Sequence, residues 1–217
     1  MADERPSTGG GRGPRRRESF AERRERRGAV EDPAVVLEAA ARFLEVRSRS
    51  VAEVRRRLTM NGYRPELVDG AIARMTDLGM LDDAAFAQAW VESRDRSRPR
   101  GERAIRAELG QKGLEKNVID EVLAVRRAGG SWSDETATGP GLDDVPIVSA
   151  DRAAAERLMA KHARSLARVA DPRQRRARAY ALLARNGFDP ETCREVAAGA
   201  VAAGAVPDES DAEDDPG

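Results

Sequence analysis

Apolar residues recur three or four positions apart through most of this chain, and the same phrase interrupts the pattern three times. The phrase is a Leu, three residues, a Gly, then an apolar residue: Leu58, Gly62 and Tyr63; Leu109, Gly113 and Leu114; Leu183, Gly187 and Phe188. Six residues past each Gly stands another apolar residue, Val68, Ile119 or Cys193. Spacing of three and four predicts amphipathic helices, and a Gly closing such a run predicts a left-handed helix C-terminus. No window alternates with period two, so almost no sheet is expected. A phrase repeated at this interval points to stacked helical units rather than one catalytic core.

Each unit reads as three helices. In the first, Asp32-Pro33 caps a helix with Val36, Leu37, Ala40, Phe43 and Leu44 on one face. Ser50 caps a second with Val51, Val54 and Leu58, and Pro65 starts a third with Leu67, Val68, Ile72 and Met75. The second unit opens at Asp82-Asp83 and carries Phe86, Ala87, Trp90 and Val91, then Ile105 and Leu109, then Val118, Ile119, Val122 and Leu123. The third opens at Asp151 with Ala155, Leu158, Met159 and His162; Asp171-Pro172 and Pro190 start its other helices, with Tyr180, Leu183, Val196 and Val201 on apolar faces. The expected organisation is a disordered Arg-rich arm over 1–29 with helical tendency near 18–27, repeats over 30–81 and 82–128, a flexible acidic linker over 129–150, a third repeat over 151–205, and an acidic disordered tail over 206–217. A lone three-helix unit of this size is marginal, so stacking should contribute to stability.

Composition changes this picture mainly through charge. Charged residues reach 35% against the usual quarter, while aromatics are only 4%, which suits exposed helices over thin cores. Lys+Arg and Asp+Glu are 38 each, yet the balance is local. Residues 205–217 hold six acids and no base, whereas 151–204 hold eleven bases against six acids, so acidic segments mask a basic body. Only three bases are Lys, which fits either a GC-rich coding bias or a need for forked phosphate and carboxylate contacts.

A catalytic set cannot be assembled. His162 is the single histidine and lies between Lys161 and Arg164 on a helix. Cys193 reads as a small buried hydrophobe, and one cysteine excludes an internal disulfide. Asp82-Asp83 reads as a cap, and GGGRG at 9–13 lacks the preceding strand and following Lys of a phosphate loop. No cofactor or metal is expected. No apolar run suits a membrane span, and the arginines near Met1 precede no apolar stretch of a secretory signal, so a cytoplasmic protein is expected.

Positive charge does recur. Between the first and second helices lie Arg47, Arg49, Arg55, Arg56 and Arg57 in unit one; Arg94, Arg96, Arg98, Arg100, Arg103 and Arg106, followed by Lys112, in unit two; and Arg164, Arg168, Arg173, Arg175, Arg176 and Arg178 in unit three. If the units stack in register, these residues line one edge suited to a polyanion or an acidic groove. The alternative is solvated helix faces paired with Glu45, Glu53, Asp95 and Glu102. Aromatics are scarce there, so contact with nucleic acid should be mainly to phosphate and weaken with salt.

The string GMLDDAAFAQAWVESR over 79–94, then RGERAIRAELGQKGL over 100–114, resembles the core of the bacterial regulatory RecX family. Gly79, Asp82, Asp83, Phe86, Ala87, Trp90, Ser93, Arg94, Gly101, Glu108, Leu109, Lys112 and Gly113 carry the likeness, which extends into ARFLEVRSRSVAEVRRRLTMNGY of the first unit. The Arg-rich arm, the acidic insert and the acidic tail depart from the family pattern. The resemblance implies an all-α, elongated and curved array of three-helix repeats. It also implies a non-enzymatic regulator, usually an inhibitor, that binds the groove of the RecA–DNA filament and modulates strand exchange, RecA ATPase, recombinational repair and the SOS response. The competing expectation is a general nucleic-acid-binding helical-repeat protein without RecA specificity. Nothing in the sequence demands a dimer, so a monomer is expected.

Overall fold

A computed structural model describes residues 18–129 and 149–202. The described residues form ten helices and no strand: α1 Phe20–Gly28, α2 Pro33–Leu44, α3 Val51–Asn61, α4 Pro65–Asp77, α5 Asp83–Ser97, α6 Glu102–Gln111, α7 Lys116–Arg127, α8 Ala150–Ala167, α9 Pro172–Arg185 and α10 Pro190–Ala202. Helices α2–α4, α5–α7 and α8–α10 each close on their own apolar core. Val36, Val54, Leu58, Val68 and Met75 centre the first, Val91, Ile105, Leu109 and Leu123 the second, and Ala154, Leu183, Phe188 and Cys193 the third. The fold is therefore three small bundles in tandem, the elongated array implied by the repeat.

The repeated phrase is a turn that each unit makes between its second and third helices. Gly62, Gly113 and Gly187 have φ of 98°, 81° and 83°, a left-handed conformation that costs glycine little. Each Gly N–H donates to the carbonyl three residues back, and the next N–H reaches the Leu carbonyl five back: Tyr63 to Leu58, Leu114 to Leu109 and Phe188 to Leu183 at 3.3–3.4 Å. This double closure satisfies the orphan carbonyls of the helix end. It also turns Tyr63, Leu114 and Phe188 into the cores, where they are 8%, 7% and 2% exposed.

Caps anticipated from sequence are in place. The carboxylates of Asp32, Asp82 and Asp171 accept the first free N–H groups of α2, α5 and α9. Ser50 and Glu53 form a capping box at α3. Three expectations need correction. The arm is helical over α1: Ser19 and Glu22 form another capping box, Arg26 pairs with Glu18 at 3.0 Å, and the Arg24 backbone lies against Gly62. Residues 1–17 lie outside those described, as do 130–148 and 203–217, so the remaining linker and tail expectations fall there. Tyr180 does not join the third core; Ala179, one residue earlier in the helical turn, and Leu183 fill that face, and Tyr180 is exposed. His162 is likewise exposed, although it stands four residues after Leu158 and four before Leu166 on the otherwise buried stripe of α8.

Candidate protein and nucleic-acid interface

The joints between bundles are polar, and both follow one plan. At each joint, a glycine turn of the later bundle seats on the start of the second helix of the earlier one. Gly113 faces Ala52 at the start of α3, and Gly187 faces Ala104 at the start of α6; a Cβ on either glycine would overlap that alanine. The residue before each glycine supplies a backbone carbonyl to the opposing helix start. Ser50 Oγ–H donates to the Lys112 carbonyl at 2.6 Å, and Gly101 N–H donates to the Asn186 carbonyl at 3.0 Å. A carboxylate from the first helix of the later bundle then caps that same start. Asp83 accepts the Val51 N–H at 2.9 Å, and Asp151 accepts the Glu102 N–H at 3.1 Å. Gly101, which has no side chain to cap α6, thus receives its cap from the next unit.

Charged side chains tie these joints together. Across the first, Glu53 takes Lys112 Nζ at 3.0 Å and Arg47 Nη2 at 3.2 Å. Burial works against the Glu53 charge, but hydrogen bonds from Lys112 and Arg47 outweigh it and lower its pKa. Asp83 has no such cation, and burial raises its pKa despite the Val51 N–H. Lys112 also stands over Trp90, 5.0 Å from the ring centroid, with the Arg94 guanidinium at 4.3 Å. The Trp90 indole N–H and Arg94 Nε both donate to Glu108 Oε2, at 2.8 and 2.6 Å, and Arg100 approaches the other Glu108 oxygen at 3.7 Å. Arg100 Nη1 then reaches Asn186 Oδ1 at 3.1 Å. A continuous chain of contacts therefore runs from Arg47 in the first bundle, through Glu53, Lys112, Trp90, Arg94, Glu108 and Arg100, to Asn186 in the third.

The second joint holds the most buried cation. Arg126, whose side chain is 3% exposed, grips Asp95 with two hydrogen bonds of 2.9 Å and also pairs with Asp151. Its Nη2 reaches the Arg100 carbonyl at 3.3 Å. Burial opposes this charge, yet hydrogen bonding to Asp95 and Asp151 raises the pKa. Lys161 Nζ adds a bond to the Ser97 carbonyl at 2.7 Å.

The basic residues expected to form one free edge therefore divide into two groups. Arg47, Arg94, Arg100 and Lys112 belong to the contact chain through the joints. Arg55 pairs with Asp69, Arg106 with Asp120 and Glu102, and Arg96 with Glu92. Arg49 lies on the Phe43 ring at 4.2 Å, with Arg57 at 5.6 Å from the same ring; burial and the neighbouring Arg47 lower the Arg49 pKa. Arg175 donates to the Val169 carbonyl. Among the described residues, the side chains of Arg56, Arg98, Arg103, Arg164, Arg168, Arg173, Arg176 and Arg178 have no carboxylate partner and are exposed. Arg126, Asp151 and Glu108 escaped the sequence reading as joint residues. Arg126 left a signal, since it continues the apolar spacing of Ile119, Val122 and Leu123.

Among the described residues no group of three or more His, Cys, Asp and Glu could hold a metal, and no helix is long and apolar enough to cross a membrane. Cys193 is buried, and its thiol pKa is raised, chiefly by burial.

Three tandem three-helix bundles joined by polar contacts define a helical-repeat protein. Models of the first, second and third three-helix domains of RecX match residues 37–75, 82–123 and 150–197. A protein of Chlorobaculum tepidum called regulatory protein RecX is 35% identical over 159 residues, 73% of this chain and 84% of its own length. One of Mycobacterium ulcerans with the same name is 33% identical over 162 residues, 75% and 82% of the two chains. The crystal structure of RecX from Lactobacillus salivarius superposes with a TM-score of 0.61 at 16% identity, covering 77% of this chain and 96% of that one. A second crystal structure, of a regulatory protein RecX, gives 0.58 at 18% identity, covering 76% and 70%. The chain belongs to the RecX family of regulatory proteins.

Proposed function

We propose that this chain is a non-enzymatic regulator, an inhibitor in its main effect, of the RecA recombinase. It binds along the groove of the RecA–DNA filament in the cytoplasm, as a monomer, and depresses strand exchange and RecA ATPase, and with them recombinational repair and the SOS response. The observation that carries this reading is the tandem of three RecX domains matched in order along one chain. Two physical features support it. The polar joints hold the bundles at set angles, so one molecule can span neighbouring subunits of a filament without losing that rigidity on binding. The partner-free arginines supply charge for an acidic protein surface or for phosphate.

Co-sedimentation with RecA filaments on single-stranded DNA tests the reading, with RecA ATPase as the functional readout. The chain should pellet with filaments and lower ATPase at stoichiometries below one chain per RecA subunit. The alternative, a general nucleic-acid binder without RecA specificity, draws on the same unpaired arginines. Equal affinity for bare and RecA-coated strands in a gel shift would establish that alternative and remove the RecA-specific reading.

A further inference from the structure

The densest run of partner-free cations lies in the third bundle. From Arg157 to Arg185 the chain carries nine bases and one acid, Asp171; Arg157 approaches Asp95 and Lys161 and Arg175 donate to backbone carbonyls, which leaves six bases without a partner among the described residues. That single carboxylate is occupied, since its Oδ1 accepts the Arg173 backbone N–H as the cap of α9. In α9 the arginines fall on a defined surface. Arg173, Arg176 and Tyr180, separated by three and four residues, share one helical face, with Ala177 and Ala184 on the same face. All five are exposed, while Ala179 and Leu183, about a quarter turn round the helix and bordering Arg176, fill the core. Arg178 and Arg185 form an adjacent exposed stripe seven residues apart.

Tyr180 is the distinguishing feature. It is 37% exposed, and among the described residues its ring touches no other aromatic ring and no cation. Trp90 is met by Arg94 and Lys112, Phe43 by Arg49 and Tyr63 by Arg27, whereas Phe20 in α1 is open as well, 59% exposed. An aromatic face left open on a helix with two unpaired guanidinium groups one and two turns away is a stacking platform beside phosphate ligands. The span from Arg173 to Tyr180 is about 10 Å along the helix. Ala177, between them on the same face, allows close approach of a backbone.

We infer that the outer face of α9 is a docking surface for single-stranded DNA, in which Arg173 and Arg176 take successive phosphates and an unpaired base stacks on Tyr180. The choice of DNA rests on the filament reading above; the preference for a single strand rests on the ring, because duplex bases are already stacked.

The test is fluorescence anisotropy of the full-length chain with a labelled oligothymidylate, in the absence of RecA, across a salt series. The variants are Arg173→Gln with Arg176→Gln, Tyr180→Ala and Tyr180→Leu, with Arg42→Gln, on α2 and paired with Glu38, as a control in another bundle; circular dichroism checks each fold. The double Gln variant should bind roughly tenfold more weakly and lose about 1.4 from the slope of log affinity against log salt, two contacts at about 0.7 each. Tyr180→Ala and Tyr180→Leu should both weaken binding several-fold to roughly tenfold with the slope unchanged. Tyr180→Leu keeps the bulk should the Ala variant misfold. Arg42→Gln should stay within about twofold of wild type. Three results would overturn the inference: an unchanged slope in the double variant, tighter binding to duplex of the same sequence, or binding to RNA alone. Co-sedimentation with RecA filaments separates this outcome from the broader reading, since a chain that still pellets with filaments but ignores bare strands refutes only the α9 surface.

Discussion

Arg126 shows at the scale of one side chain how this protein holds its shape. An arginine in the apolar phase of a helix is costly to bury unless its donors are matched, and here two carboxylates and a carbonyl match them. Removing the guanidinium leaves Asp95 and Asp151 facing each other without their shared cation. Arg126→Leu should therefore lower unfolding free energy by about 3–5 kcal/mol in urea titration, and adding Asp95→Asn should recover part of that loss. Full additivity of the two changes would show that the residues are not coupled. The helical spacing marks Arg126 as buried, but a single sequence cannot say which acids meet it, since Asp95 and Asp151 come from different bundles and lie 31 and 25 residues away.

Helices and turns were the most legible level. The Leu-x-x-x-Gly phrase encodes a complete local device: a left-handed glycine, two backbone bonds and an inserted apolar residue, all within six positions. Local encoding is why Asp32, Ser50, Asp82 and Asp171 also cap where expected. The joints were illegible for the opposite reason, because they pair a turn with a helix start some 60 to 86 residues away. Gly113 has two duties, one local and one at the joint, and Gly113→Ala tests both. The left-handed φ costs about 1 kcal/mol, and the methyl must displace Ala52 as well. Its melting temperature should fall further than that of Gly79→Ala, which has φ of 68° but open space around it. The same joint predicts an acid response. Glu53 has a lowered pKa, so its contribution is complete above its ordinary value of 4.5 and disappears as pH falls through the lower folded-state value. Glu53→Gln should flatten the loss of melting temperature between neutral pH and about pH 3; an unchanged slope would exclude this joint as a source of acid sensitivity.

At the scale of the whole molecule, sequence alone could count arginines but could not sort them. Sorting depends on which carboxylates the fold brings within reach, and it changes which substitutions are informative. Arg94 and Arg100 are part of the contact chain around Glu108, so reversing their charge disturbs the joint as well as any docking surface. Arg98 and Arg103 are exposed and unpaired among the described residues, so their reversal changes the surface field and little else. Arg98→Glu with Arg103→Glu should thus weaken inhibition of RecA ATPase several-fold at low salt while leaving helicity and melting temperature close to wild type, and the difference should shrink as salt screens the field. Arg94→Glu should instead lose inhibition and thermal stability together, because it strips Trp90 and Glu108 of a shared partner. Equal inhibition by the double variant and the native chain would move the filament contact away from the middle bundle and leave the exposed cations of α8 and α9 to carry it.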